Sequence, residues 1–150
     1  MAETNESPMQ MALGEARQAA ARGEVPVGAV IVGDGVVLAR TGNRMHELGD
    51  PTAHAEMLAV RMAVAAYGSG RLVGADLHVT LEPCAMCAAA ISHARISRLY
   101  YGAPDPKGGA VDSGIRFFAQ PTCHHAPEIY GGIAETEAAA LLVDFFKARR

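Results

Sequence analysis

Two short motifs constrain this chain more than anything else in it: His54-Ala55-Glu56 and Pro83-Cys84-Ala85-Met86-Cys87. Each stands at the expected start of a helix. A histidine and two thiolates make a donor set for a borderline-soft metal such as zinc. Cys84 and Cys87, at i and i+3, share one face of a first helical turn, where the positive end of the helix dipole favours thiolates. His54, early on the other helix, supplies a nitrogen. Three protein ligands leave a fourth tetrahedral position open, which is the layout of a catalytic zinc. Two thiolates leave one Zn2+ formally neutral, yet still able to activate a water. Glu56, two residues after His54, is placed to shuttle a proton without binding the metal. The expectation is one Zn2+ per subunit on His54, Cys84 and Cys87, with Glu56 as the catalytic acid and base.

Other readings of the same residues explain less. A redox Cys-x-x-Cys, or a pair of buried thiols, needs no His-x-Glu upstream. A closed structural zinc would need a fourth ligand, for which Cys123, His124 or His125 would stand, and it would leave Glu56 without a task. Cys123 is expected to be a reduced, non-ligand thiol, and His46, His78 and His93 ordinary surface or core histidines.

The chain has 150 residues, half of them apolar and 19% charged, so one domain over 1–150 with a real core is expected. No apolar run reaches the roughly 18 residues that span a bilayer. Met1 to Pro8 is polar and lacks the basic start and apolar centre of a secretory signal. Three cysteines, an odd number, argue against a disulfide framework. A cytoplasmic protein with no membrane partner is expected. The net charge of −3 speaks against non-specific nucleic-acid binding, although residues 91–150 carry 7 basic against 6 acidic groups.

Met9, Ala12, Leu13, Ala16, Ala19 and Ala20 recur at helical spacing, so Pro8 to Ala21 reads as a helix capped by Ser7. Val25–Val32 and Val36–Thr41 read as strands joined through Gly33-Asp34-Gly35. Gly42–Thr52 reads as loop and Ala53–Ala66 as a helix capped by Thr52. Ala75–Leu81 reads as a strand, and Pro83 as the first position of a helix running to about Ala94. Ile96–Gly102 reads as a strand. The Gly- and Pro-rich stretch Ala103–Gln120 holds a short helix at Gly114–Ala119. Ile129–Gly132 reads as a short strand and Glu135–Arg149 as a last helix, with Ala138, Leu141, Leu142 and Phe145 on one face. Such alternation predicts an α/β fold with helices packed on the sheet and some parallel pairing.

His-x-Glu followed by Pro-Cys-x-x-Cys is the known signature of zinc nucleobase deaminases, tRNA-editing enzymes among them. Over nearly its whole length the chain resembles the bacterial tRNA-specific adenosine deaminases. The resemblance rests on Glu24-Val25-Pro26-Val27-Gly28-Ala29-Val30, Gly42-Asn43-Arg44, Asp50 through Glu56 and Leu77 through Cys87. Gly102 through Ala110 and the late helix around Leu141-Leu142-Val143-Asp144-Phe145-Phe146 mark the tRNA-acting branch in particular.

The resemblance implies a cytidine-deaminase-like three-layer α/β/α sandwich, with a mixed five-stranded sheet and helices on both faces. It implies hydrolysis of adenosine to inosine at the wobble position of a tRNA anticodon, by zinc-activated water and a glutamate proton shuttle. The implied partners are a tRNA anticodon stem-loop and a second copy in a homodimer. By position, Asn43 would contact the flipped-out nucleoside, Val27 and Leu81 would line its pocket, and Asp105 and Lys107 would touch neighbouring nucleotides. Phe146 and Arg149 or Arg150 would lie on the helix that closes on the RNA. From local charge, Arg95, Arg98, Lys107, Lys147, Arg149 and Arg150 are candidates to line the phosphate path, with plain surface charge as the alternative for each. The chain carries His124-His125 where the family often has Asn-His. The alternatives are a zinc deaminase of free guanine, cytosine or nucleosides, and a non-catalytic zinc-stabilised module.

Overall fold

The computed structural model describes residues 6–149. Helix α1 spans Pro8–Ala21. Ser7 Oγ accepts from Gln10 N at 3.1 Å, and Pro8 occupies the first turn, where a missing N–H costs nothing. Strands β1 (Gly28–Gly33) and β2 (Val36–Gly42) form an antiparallel hairpin. Asp34 and Gly35 both take positive φ, 51° and 74°, the conformation a two-residue turn needs to match strand twist. The first strand starts at Gly28 rather than Val25. There β1 passes so close to α1 that any Cβ on Gly28 would run into the Ala12 carbonyl.

The segment expected as loop contains a one-turn helix, α2 (Met45–Leu48), ended by Gly49 in the left-handed conformation. Helix α3 (Ala55–Tyr67) follows, then β3 (Asp76–Leu81), α4 (Ala85–His93) and β4 (Arg98–Ala103). The short helical stretch is a 3-10 turn at Phe117–Ala119, and β5 is only Glu128–Tyr130. Helix α5, Glu135–Lys147, closes the order. Thr52 does not cap α3. Its hydroxyl donates instead to Asp50 Oδ1 at 2.7 Å, and His54 takes the capping position. Likewise Cys84, not Pro83, stands at the start of α4.

The strands form one sheet in the order β2-β1-β3-β4-β5, antiparallel through β3 and parallel from β3 to β5. The parallel steps follow from the connections, since β3 reaches β4 only by way of α4. Alternation along β1 separates two apolar layers. Ala29 and Ile31 join Ala55, Ala59 and Ala63 of α3 on one face, while Val30 meets Met9 and Ala12 of α1 on the other. Helix α5 lies on the α1 side, where Ala138 packs with Leu13 and Ala103. The result is the three-layer α/β/α sandwich with a mixed five-stranded sheet. In α5 only Ala138 and Phe145 are buried. None of the described helices is long and apolar enough to cross a membrane.

Candidate active site

The starts of α3 and α4 meet beyond the end of β3. His54 has extended backbone (φ −72°, ψ 151°) and makes no side-chain cap to its own helix, so its ring turns toward the other helix. The capping is done from a distance. Asn43 Oδ1 accepts from Ala55 N at 2.7 Å, and Thr41 Oγ1 donates to Ala55 O at 2.8 Å. These two bonds between buried groups fix both His54 and Glu56.

His54 Nδ1 lies 3.7 Å from Cys84 Sγ and 3.5 Å from Cys87 Sγ. A tetrahedral zinc with ordinary Zn–N and Zn–S bonds sets its nitrogen and sulfur ligands about 3.5 Å apart. The donor set therefore fits zinc in both chemistry and spacing. Among the described residues this is the one group of three or more His, Cys, Asp or Glu with its ligand atoms gathered this way.

The thiols are unequal. The hydrogen bond from Cys87, against the cost of burial and with help from His54, pulls Cys84 down to about 4. Cys87 is pushed far above the thiol range by the same shared hydrogen bond and by burial. Bonding to Cys84 holds the His54 ring above its usual value. Glu56 is 4% exposed, and burial foremost, with the Cys84 charge adding, pushes its carboxyl up to about 7. A carboxyl poised near neutrality exchanges protons readily in both directions.

A cavity of about 310 Å³ opens beside these groups, within the size range of small-molecule sites. Val27, Asn43, Leu81 and Asp105 line it together with His54, Glu56 and Cys84. Cys87 is fully buried behind them. Lys107 is exposed on the loop beside the cavity, and Phe146, 50% exposed, lies on α5 against a separate hollow with Leu142, Val143 and Lys147. Neither lines the cavity. The Asp105 carboxylate folds back on its own loop, its Oδ1 accepting from Lys107 N at 3.2 Å and Gly108 N at 3.0 Å.

Two basic residues expected along the phosphate path are engaged elsewhere. Arg98 pairs with Asp76 and Glu128 at the foot of the sheet. The Arg149 guanidinium sits 3.5 Å from the centre of the Phe145 ring. Arg150 lies outside the described residues. Cys123 donates to His125 O at 3.1 Å, His125 Nε2 bonds Ile96 O at 2.6 Å, and His124 is exposed. None of the three reaches the metal-ligand cluster.

Four wall residues carry no signal at the level of single-residue chemistry: Val25, Met45, Glu82 and Gly108. Glu24, which opens the first of the matching stretches but is given no role there, is another buried group. Its carboxylate is 2% exposed and accepts from His46 N at 3.0 Å and Glu47 N at 2.8 Å, holding α2 and with it the Met45 wall. Burial alone would raise Glu24, but these amide bonds outweigh it and hold the carboxyl below its usual value.

A profile described as the cytidine and deoxycytidylate deaminase zinc-binding region matches residues 2–103. The chain belongs to that deaminase family. Within it, the chain groups with the tRNA-specific adenosine deaminases. It is 66% identical over 142 residues to the protein of that name from Agrobacterium fabrum, covering 95% of this chain and 93% of the relative. It is 41% identical over 142 residues to the one from Bacillus subtilis, covering 95% and 88%. A structure from a study of A-to-I editing by tRNA:A34 deaminases at the wobble position of transfer RNA shares 67% identity and a TM-score of 0.89, over 90% of this chain and 98% of that one. A guanine deaminase from Nitrosomonas europaea superposes with a TM-score of 0.80 over 97% of this chain and 86% of its own, at 21% identity, and so shares the fold. This deaminase is accordingly a zinc-dependent hydrolytic enzyme, and His54, Cys84 and Cys87 at the starts of α3 and α4 are positioned as possible zinc ligands.

Proposed function

We propose that this deaminase, as one domain over 1–150, converts adenosine to inosine at the wobble position of a tRNA, bound through its anticodon stem-loop. The observation that carries the reading is the cavity itself, which brings the metal ligands, a proton-exchanging carboxyl, an amide and apolar walls around a space of nucleoside size. The two tRNA-specific relatives and the tRNA:A34 deaminase structure, similar over most of their length, supply the substrate class.

His54, Cys84 and Cys87 would hold the zinc, which supplies the Lewis acidity that makes a water nucleophilic near neutral pH. Glu56 takes the proton from the attacking water and delivers it to N1 of the purine as oxygen adds to C6. It then passes the remaining hydroxyl proton to the amino group, which leaves as ammonia. One water is consumed, and Glu56 ends as it began. Val27 and Leu81 flank the base. Asn43 offers its amide N–H group to the nucleoside, since its oxygen is held by Ala55 N. Asp105 Oδ2 and Lys107 reach neighbouring nucleotides, and Phe146 meets the RNA from the late helix.

An extruded base suits this geometry, because unstacked loop nucleotides are read by insertion into pockets rather than by a basic patch alone. Purified enzyme incubated with a wobble-adenosine stem-loop is expected to yield inosine on nucleoside analysis, with free guanine, cytosine and nucleosides turned over far more slowly. Zinc-loaded protein that makes no inosine from any such RNA, yet releases ammonia from free bases, overturns the reading.

We further read the enzyme as a cytoplasmic homodimer in which the second copy completes the RNA surface. Sedimentation at assay concentration is expected to give twice the chain's mass. A monomer at full activity excludes the dimer.

A further inference from the structure

Glu82 is a buried carboxylate that the deamination chemistry leaves unused. It is 2% exposed. Its Oε1 accepts from Asp105 N at 2.9 Å and Ser113 Oγ at 2.9 Å. Its Oε2 accepts from the amides of Val111, Asp112 and Ser113 at 3.0, 3.0 and 2.9 Å. All five donors belong to one loop. Both carboxylate oxygens accept from it, so the loop is wrapped around the Glu82 side chain.

The wrapping is tight enough to dictate sequence. A Cβ on Gly109 would stand 2.5 Å from Glu82 Cδ and 2.6 Å from the Asp105 carbonyl, so only glycine lets the loop close there. The other side of Glu82 is the metal-ligand arm. Its own N–H donates to Ala103 O at 2.9 Å, and Ala110 N donates to Pro83 O at 2.9 Å. Through Pro83 it leads directly into Cys84. One side chain therefore joins the arm that carries a metal ligand to the loop that places Asp105 and Gly108 in the cavity wall.

We propose that Glu82 is a positioning residue for RNA recognition: it fixes loop 105–113 relative to the metal-ligand arm, and so sets where the nucleotides flanking the target adenosine are held. The proposal rests on the wobble-adenosine reading above. A recognition loop must hold its geometry within a fraction of an ångström to orient a substrate, and this loop has a buried anion at its centre rather than a helix or strand. Changes at Glu82 should then act on binding and on discrimination between flanking nucleotides more than on proton transfer.

Glu82→Gln keeps the shape but turns one acceptor into a donor facing at least two of the five donors. Wild type and E82Q are compared on a wobble-adenosine stem-loop and on the same RNA with a flanking nucleotide exchanged, with zinc measured alongside. The expected result is a KM for the RNA raised about tenfold, the cost of unpairing a buried donor or two. The preference between flanks weakens, kcat falls by less than KM rises, and zinc stays at one per chain. A purely structural role would reduce the folded fraction, and so the apparent kcat, without moving KM or flank preference.

Ser113→Ala removes the hydroxyl donor alone. It is expected to raise KM in the same direction by a smaller factor, and it decides the matter if E82Q does not fold. Unaltered KM and flank preference in E82Q, or in Ser113→Ala where E82Q fails to fold, beside an active wild type, overturn the role of Glu82. Absence of inosine from wild type itself removes the substrate reading, and this proposal with it.

Discussion

Replacing Glu56 with glutamine is expected to lower kcat for inosine formation by roughly a thousandfold or more while bound zinc stays stoichiometric, as loss of a positioned acid and base removes about 10²–10⁴ in rate. The substitution should fold. Glu56 is buried, and glutamine has nearly the same size and shape, so the space that holds the carboxyl can hold the amide. It is not part of the ligand cluster, so metal content should not follow activity down. KM for the RNA should change little, because the group acts on protons in motion rather than on the bound substrate. Single-turnover rates and metal analysis on the same sample check both halves. Activity within a few fold of wild type would refute the shuttle, and zinc loss in parallel would make Glu56 a ligand instead.

Cys87→Ala is expected to fail differently, losing metal, activity and stability together. Cys87 is fully buried, and its sulfur lies 3.5 Å from His54 Nδ1, so no solvent-side substitute can stand in for it. A metal present at a thousand times its dissociation constant stabilises the fold by about 4 kcal/mol. For a chain of this size that is a drop in Tm of roughly 10 °C. The small cavity left by the sulfur adds a lesser amount. Thermal melts with and without chelator check this. Wild type stripped of zinc should approach the variant, and chelator should leave the variant unmoved. A Cys87→Ala protein that retains one tight zinc would exclude Cys87 as a ligand.

These two outcomes separate the groups whose roles are local in the sequence. His54 and Glu56, like Cys84 and Cys87, are close neighbours, and the elements that carry them announce themselves by periodicity and by turn residues. The hairpin through Asp34 and Gly35 and the cap at Ser7 are legible for the same reason, since each is decided by the conformational preferences of two or three adjacent residues. The start of α3 is not. Thr52 has the right chemistry to cap that helix, but Asn43, twelve residues earlier in the chain, satisfies Ala55 N instead, and His54 is left free to face the cysteines. A cap supplied across a loop leaves no mark at the helix itself. Arg98 and Arg149 make the same point from the opposite direction. In the sequence they are simply basic, and only packing shows one paired across the sheet and the other stacked on Phe145.

By itself, then, the sequence determined the reaction class, because a metal's ligand types, their spacing in one helical turn and a carboxylate two residues from a ligand are short-range facts. The succession of strands and helices around a partly parallel sheet followed from periodicity in the same way. Only the tertiary structure decided how those parts become one cavity. The strand order β2-β1-β3-β4-β5 brings the starts of α3 and α4 together at one end of the sheet. Two buried carboxylates, Glu24 and Glu82, then hold two segments of its wall through backbone amides far away in sequence. Backbone donors are the same in every residue but proline, so their partners carry no side-chain signature, and the chain must fold before they can be known.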